Sequence, residues 1–185
     1  MDTGMSGPVE PLGVMPMVSL IYSEEQVLTP ARSALRECFG GECLCSLPFY
    51  FDMSDYYSVE MGEGLLRIWL CFGTLADPAG LPAWKIFCHG LETRLSRENG
   101  SREVNVDPGY MDFGKLVLAS FKEAPDKIYM GDGVWAHTCL RYGHGHFTAP
   151  EHSFPDFRDG RFDAFMLEAR RCYRRILRSG GEGDS

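Results

Sequence analysis

No apolar run in the sequence approaches the length of a membrane span, which argues against a transmembrane helix. The N-terminus lacks a charged-then-apolar secretory segment, the seven cysteines cannot all be paired, and none of them forms a C-x-x-C pair. A chain of 185 residues buries a core without disulfides, so a reducing cytosol fits best. Basic residues are also scarce: 18 Lys and Arg face 26 Asp and Glu, a net charge of −8. An acidic surface repels a polyanion, which argues against general nucleic-acid binding unless basic residues cluster locally. They cluster in one place, at Arg170, Arg171, Arg174, Arg175 and Arg178 near the C-terminus. There is no internal repeat.

What is present reads as one domain over residues 16–178, between a flexible N-terminal arm (1–15) rich in Gly and Pro and a flexible acidic tail (179–185). Met17 to Tyr22 is an apolar run of strand length. Ser23 with Gln26 forms a capping box that starts a helix near Glu24, and the helix ends at Gly40-Gly41. A second strand lies within Glu42 to Phe51, interrupted at Pro48, and a loop carrying Asp55, Tyr56 and Tyr57 follows. Leu65 to Phe72 is the clearest strand, with apolar residues on both faces. Asp77-Pro78 caps a helix to about Leu95, with Leu81, Trp84, Phe87, Cys88 and Leu91 as its apolar stripe.

The stretch from Arg102 to Lys122 is the pivot of the chain. Val104 and Val106 alternate with Asn105 and Asp107 as in a strand, which Pro108-Gly109 is expected to stop. Phe113, Leu116, Val117 and Phe121 then fall at helical spacing. Gly109 to Lys115 matches G-x-x-x-x-G-K, the phosphate-cradling loop of nucleotide triphosphatases. Leu116 replaces the hydroxyl that should hold magnesium, Tyr110, Met111 and Phe113 are bulky, and too little chain follows for a doubly wound nucleotide domain. The ordinary reading is a strand, a turn and a packed helix.

Asp132-Gly133 is the turn pair of a β-hairpin between Lys127 to Met130 and Val134 to Tyr142. Gly143 to Pro155 reads as irregular, and a final helix spans Asp163 to Arg178. The fold class is therefore α+β, mainly an antiparallel sheet, with a ferredoxin-like βαββαβ core extended by a β-hairpin and a C-terminal helix.

Several segments resemble the uncharacterised prokaryotic family called domain of unknown function forty-four sixteen: Ile21-Tyr22-Ser23, Asp55-Tyr56-Tyr57 with Glu60-Met61-Gly62, and Val104-Asn105 with Asp107-Pro108-Gly109-Tyr110. Lys115 to Ala119, Ile128-Tyr129 and Phe154-Pro155-Asp156-Phe157-Arg158 extend the resemblance over most of the chain. It implies a compact cytosolic bacterial or archaeal protein, and members often carry the automatic label GTP-binding protein. It implies no catalytic residue.

Three constellations carry chemistry. The first is an anion site from Arg67, Lys85, Lys115, Lys122 and Arg141, with Asp55, Glu60 or Asp107 as counter-charge, magnesium anchor or general base. Its ligand would be a nucleotide or phosphorylated metabolite, bound through Arg67, Lys85, Asp107, Lys115 and Arg141; the catalytic candidates are Asp107 and Glu60. The ordinary reading of these charges is ion pairs around a sheet. The second is a metal site from Cys38, Cys43, Cys45 and Cys88-His89, or from His137, His144 and His146. It is outweighed by the reading of free cysteines as small core residues. The third is the arginine-rich helix as a docking face for an acidic protein or RNA, against its reading as a solvated face.

Overall fold

The computed structural model describes residues 7–52 and 55–180. Of the two expected flexible ends, residues 1–6 and 181–185 lie outside the described residues, as do Met53, Ser54 and the side chains of Asp55 and Tyr56.

The chain begins with β1 (Met15–Tyr22), α1 (Leu28–Phe39), the short β2 (Glu42–Cys45) and β3 (Phe49–Tyr50), then α2 (Asp55–Met61). It continues through β4 (Leu66–Phe72), α3 (Leu81–Arg94), β5 (Val104–Met111), β6 (Lys115–Ser120), β7 (Ile128–Gly131) and β8 (Val134–Gly143). It closes with β9 (His146–Thr148), α4 (Pro155–Arg158) and α5 (Asp163–Gly180). The described strands form one open sheet in the order β2-β4-β1-β5-β6-β8-β7, with β3 also on β4 and β9 on β8. Every pairing in it is antiparallel.

Period-two alternation sends β1 and β4 side chains to two different layers. Val18, Leu20 and Tyr22, with Ile68, Leu70 and Phe72, pack on one face against Ala31 and Leu35 of α1 and Cys88 and Leu91 of α3. Met17, Trp69, Cys71 and Leu118 pack on the other face against Phe157 of α4 and Met166, Ala169 and Tyr173 of α5. Each of the larger of these side chains contributes roughly 1.5–3 kcal/mol by leaving water. Two helical layers on a single sheet explain why β4 is apolar on both faces.

Several expectations hold in detail. Asp77 accepts a hydrogen bond from the Ala79 amide at 2.8 Å and starts the helical turn before α3. Gly40 ends α1 with φ at 86°, and Asp132 and Gly133 have φ at 52° and 74°, both in the left-handed region that a tight hairpin turn requires.

Five expectations are corrected. The Ser23–Gln26 capping box does not form: among the described residues no side chain caps the single 3-10 turn Glu25–Val27 or the start of α1, and the α-helix proper begins at Leu28. Asp55 to Met61 is helical, not a loop. The segment after Phe113 is strand β6, not a helix: Leu116 and Leu118 face α5 while Val117 and Ala119 face Leu81 of α3, so a run buried on both faces imitates helical spacing. His146 to Thr148, within the expected irregular region, adds a strand to β8. Finally, β5 does not stop at Pro108-Gly109 but continues to Met111. Val106 turns its amide and carbonyl away from β1, and Pro108, two residues on, shares that orientation, so its missing N–H removes no bond to β1. Gly109 is required because β6 runs so close that a Cβ there would collide with the Val117 carbonyl oxygen.

Candidate functional site

The site arises from a split in the sheet. β5 and β6 pair only between Gly109–Met111 and Leu116–Leu118. Before Gly109, β5 keeps its partner β1, whereas Ala119 and Ser120 of β6 follow β8. The two strands part at Pro108, where the ladder has no proline N–H to use.

Helix α3 caps the edge this leaves open. Val106 donates its N–H to Glu92 Oε1 at 2.6 Å, and its carbonyl accepts from Lys85 Nζ at 3.3 Å. Lys85 and Glu92 are two turns apart on one helical face and are only 5% and 4% exposed. Left without a partner, a buried backbone group costs about 1–3 kcal/mol, which accounts for two charged residues inside an apolar stripe.

A chain of polar contacts extends from this cap. Lys85 Nζ donates to Asp107 Oδ1 at 2.8 Å, Asn105 Nδ2 donates to Asp107 Oδ2 at 2.7 Å, and Arg102 Nη1 donates to Asn105 Oδ1 at 2.9 Å. Arg102 also binds both oxygens of Glu60, at 2.9 and 2.6 Å. Burial pushes the Asp107 carboxyl up, but the Lys85 charge and the bonds from Lys85 and Asn105 prevail and hold it below its ordinary value. Burial alone would lower the Lys85 ammonium; Asp107 and Glu92 outweigh it and raise it. Glu92 itself is raised, chiefly by burial. Bonds from Arg102 lower Glu60.

The split opens into a cavity of about 570 Å³, within the roughly 300–1,000 Å³ of small-molecule sites. Five cations, Arg67, Lys85, Arg102, Lys122 and Lys127, face three carboxylates, Glu92, Asp107 and Asp156, and Glu60 pairs with Arg102 from outside the lining, so a small positive excess remains at the cavity of an acidic protein. Phe51, Tyr57, Phe121, Phe154 and Phe157 supply aromatic walls. Lys127 donates to Ser120 Oγ at 3.0 Å and to the Lys122 carbonyl at 3.1 Å, and burial lowers its ammonium.

At the inner end, Arg67 of β4 pairs with Asp156 of α4 and lies 4.7 Å from the Phe51 ring centroid. Burial raises the Asp156 carboxyl, with Arg67 opposing. His137 of β8 sits beside Leu118 in the β6–β8 register, its ring 6.0 Å from that of Phe154. Burial, reinforced by the Lys127 charge, lowers His137 to about 4, so its imidazole is neutral at physiological pH.

Of the residues expected from sequence, Arg67, Lys85, Lys122 and Asp107 line this cavity. Lys115 and Arg141 do not: they face each other across β6 and β8 at the other end of the strands. Lys115 pairs with Asp112, whose Oδ1 also accepts from the Gly114 and Lys115 amides at 2.7 and 2.8 Å. The G-x-x-x-x-G-K segment is thus a β-hairpin closed on its own aspartate; the amides a phosphate would need are occupied, and Lys115 opens a strand rather than a helix. Glu60 and Asp107 each engage both carboxylate oxygens with partners and are shifted toward the ionised form, which makes them poor general bases.

Among the described residues, no group of three or more His, Cys, Asp or Glu is placed to hold a metal ion, the cysteine and histidine sets named above included. No helix among them is long and apolar enough to cross a membrane. Four charged lining residues, Glu92, Arg102, Lys127 and Asp156, are not among the site residues expected from sequence. Glu92 was detectable as the charge seven residues after Lys85 on an apolar face. Asp156 carries no local signal, because its partner Arg67 is 89 residues away.

No curated protein and no solved structure matches the chain. The family model described as Domain of unknown function (DUF4416) matches residues 13–173, from just before β1 to within α5, and the chain belongs to that family.

Proposed function

We propose that the cavity between β5 and β6 binds a small anionic ligand with a ring or sugar body, a nucleotide or phosphorylated metabolite. The observation that carries this reading is the small positive excess at an aromatic-walled cavity within a protein of net charge −8. Lys85, Lys122 and Lys127 face the anion, and the aromatic walls cover the body of the ligand. Asp107 orients Lys85. Magnesium, if it enters with a nucleotide, comes as part of the ligand. The protein works in the cytoplasm, where its free thiols stay reduced. We read β1-α1-β2-β4-α3-β5, with its sheet order β2-β4-β1-β5, as a ferredoxin-like core carrying this site on its β5 edge.

A thermal-shift screen with nucleoside mono- and triphosphates and sugar phosphates, with and without magnesium, tests the reading. A compound at about a hundred times its Kd adds about 2.7 kcal/mol, a rise of about 5–10 °C for a chain of this size. Lys127→Ala should reduce that rise, and absence of any shift across the panel would count against the reading.

The alternative is an interaction module that docks an acidic protein or RNA on α5. Exposure of Arg171, Arg174, Arg175 and Arg178 supports it, whereas Arg170 is engaged with the Phe113 carbonyl and the Tyr142 ring. Salt-sensitive capture abolished by charge reversal at Arg171, Arg174 and Arg175 would favour it.

A further inference from the structure

We infer that the inner end of the cavity recognises hydroxyl or amide groups on the uncharged part of the ligand through His137 and Asp156, so that the ligand is a hydroxylated phosphate ester rather than phosphate itself. This rests on the anion-binding reading above and specifies which kind of anion the site takes.

Among the described residues, three buried side chains at this end have polar atoms with no hydrogen-bond partner: both ring nitrogens of His137, Oδ1 of Asp156 and Nε of Arg67. His137 is 6% exposed and Asp156 1%, and all three residues line the cavity. They come from β8, α4 and β4 and so converge from three parts of the fold. A buried polar atom without a partner destabilises the fold. Their common position on one cavity is accounted for by a ligand that completes them.

The chemistry of these atoms selects the group. A neutral imidazole offers one donor and one acceptor, matching a hydroxyl or an amide, each of which also offers both. Asp156 Oδ1 accepts from a ligand donor, and the dianion of a phosphate monoester has none to give. The Arg67–Asp156 pair carries no net charge and a neutral His137 adds none, so an anion gains no net charge attraction at this end. The phosphate therefore faces Lys85, Lys122 and Lys127, and the hydroxylated part points inward, with Phe154 and Phe157 beside it.

The test compares dissociation constants of inorganic phosphate, phenyl phosphate and ribose phosphate for the wild-type protein, His137→Phe, His137→Leu and His137→Gln. Phenyl phosphate has a ring but no hydroxyl besides those of its phosphate. In the wild type, ribose phosphate should bind at least about tenfold tighter than either of the others. His137→Phe and His137→Leu should bring it within about twofold of phenyl phosphate, leave inorganic phosphate unchanged, and raise the melting temperature of the unliganded protein. His137→Gln, which keeps a donor and an acceptor, should restore part of the preference. A nucleoside monophosphate added to the series separates the two sources of the hydroxyls: tighter binding than ribose phosphate assigns the inner contacts to a nucleotide, and equal binding to a sugar phosphate.

Binding of inorganic and phenyl phosphate with no gain for ribose phosphate would overturn this inference and leave the anion site standing. Retention of the preference in His137→Phe and His137→Leu would overturn it too. So would loss of the fold in both, which would make the imidazole a structural group. If none of the phosphates binds, both readings fall.

Discussion

Glu92 holds the amide of Val106 at 2.6 Å from the position that a carbonyl of the next strand would occupy in a continuous sheet. With Lys85 on the same backbone unit, it lets β5 leave β6 without stranding its hydrogen-bonding groups. The cavity exists because a helix, not a strand, completes that edge.

Replacing Glu92 therefore tests the architecture. Glu92→Ala orphans a buried amide and removes a counter-charge from Lys85, and should cost about 2–4 kcal/mol in urea unfolding. Glu92→Gln keeps an acceptor for the amide and should lose less.

Gly109 and Gly114 should behave oppositely. A Cβ at Gly109 collides with the backbone of Val117, so Gly109→Ala should destabilise by about 2–3 kcal/mol. At Gly114 the nearest atom to an added Cβ is Asp112 Oδ1, at 3.8 Å, and Gly114→Ala should change stability by no more than about 0.5 kcal/mol. It should also leave phosphate binding unchanged, although this glycine completes the G-x-x-x-x-G-K match.

His137 should make the protein acid-sensitive. Its folded-state value is about 4, against an ordinary 6.5. Between those limits the unfolded chain binds the proton and the folded one does not. The stabilisation is complete above about pH 6.5 and is lost as pH falls toward 4, by on the order of 3 kcal/mol. Glu92 and Asp156, both raised by burial, have the opposite sign in the acid range but are common to the wild type and His137→Phe. The difference between the two proteins, from denaturation at a series of pH values, should therefore shift in favour of the variant as pH falls through this window.

Cys43 should react slowly despite its exposure. Burial of the thiol and its contact with Cys172, Sγ to Sγ at 3.5 Å, push it up to about 12. Allowing for the higher intrinsic nucleophilicity of a basic thiolate, labelling at pH 8 should be at least about tenfold slower than for an unperturbed thiol. Cys43→Ser should then leave the fast phase of an Ellman assay unchanged.

Several local signals in the sequence led to correct local structure, although the Ser23–Gln26 capping box did not form. The Asp132-Gly133 turn, the Asp77 cap and the two-faced β4 were legible because each rests on backbone stereochemistry or alternation within a few residues. The helix expected after Phe113 was not a helix, because Leu116 to Ala119 owes its apolar run to layers supplied by α3 and α5. Pro108-Gly109 looked like a stop because the sequence does not reveal which edge of β5 would be unpaired. Of the candidate cations, Arg67, Lys85 and Lys122 reach the cavity, whereas Lys115 and Arg141 are carried to the other end by strand register, which no local pattern encodes.

The most direct test of the central claim is an amide NMR titration of the protein with ribose phosphate. Binding in the cavity predicts resonance shifts concentrated at Asn105 to Asp107, Ser120 to Lys122 and His137, with α5 unmoved. Shifts confined to Arg171 through Arg178, or no shifts at millimolar ligand, would contradict it.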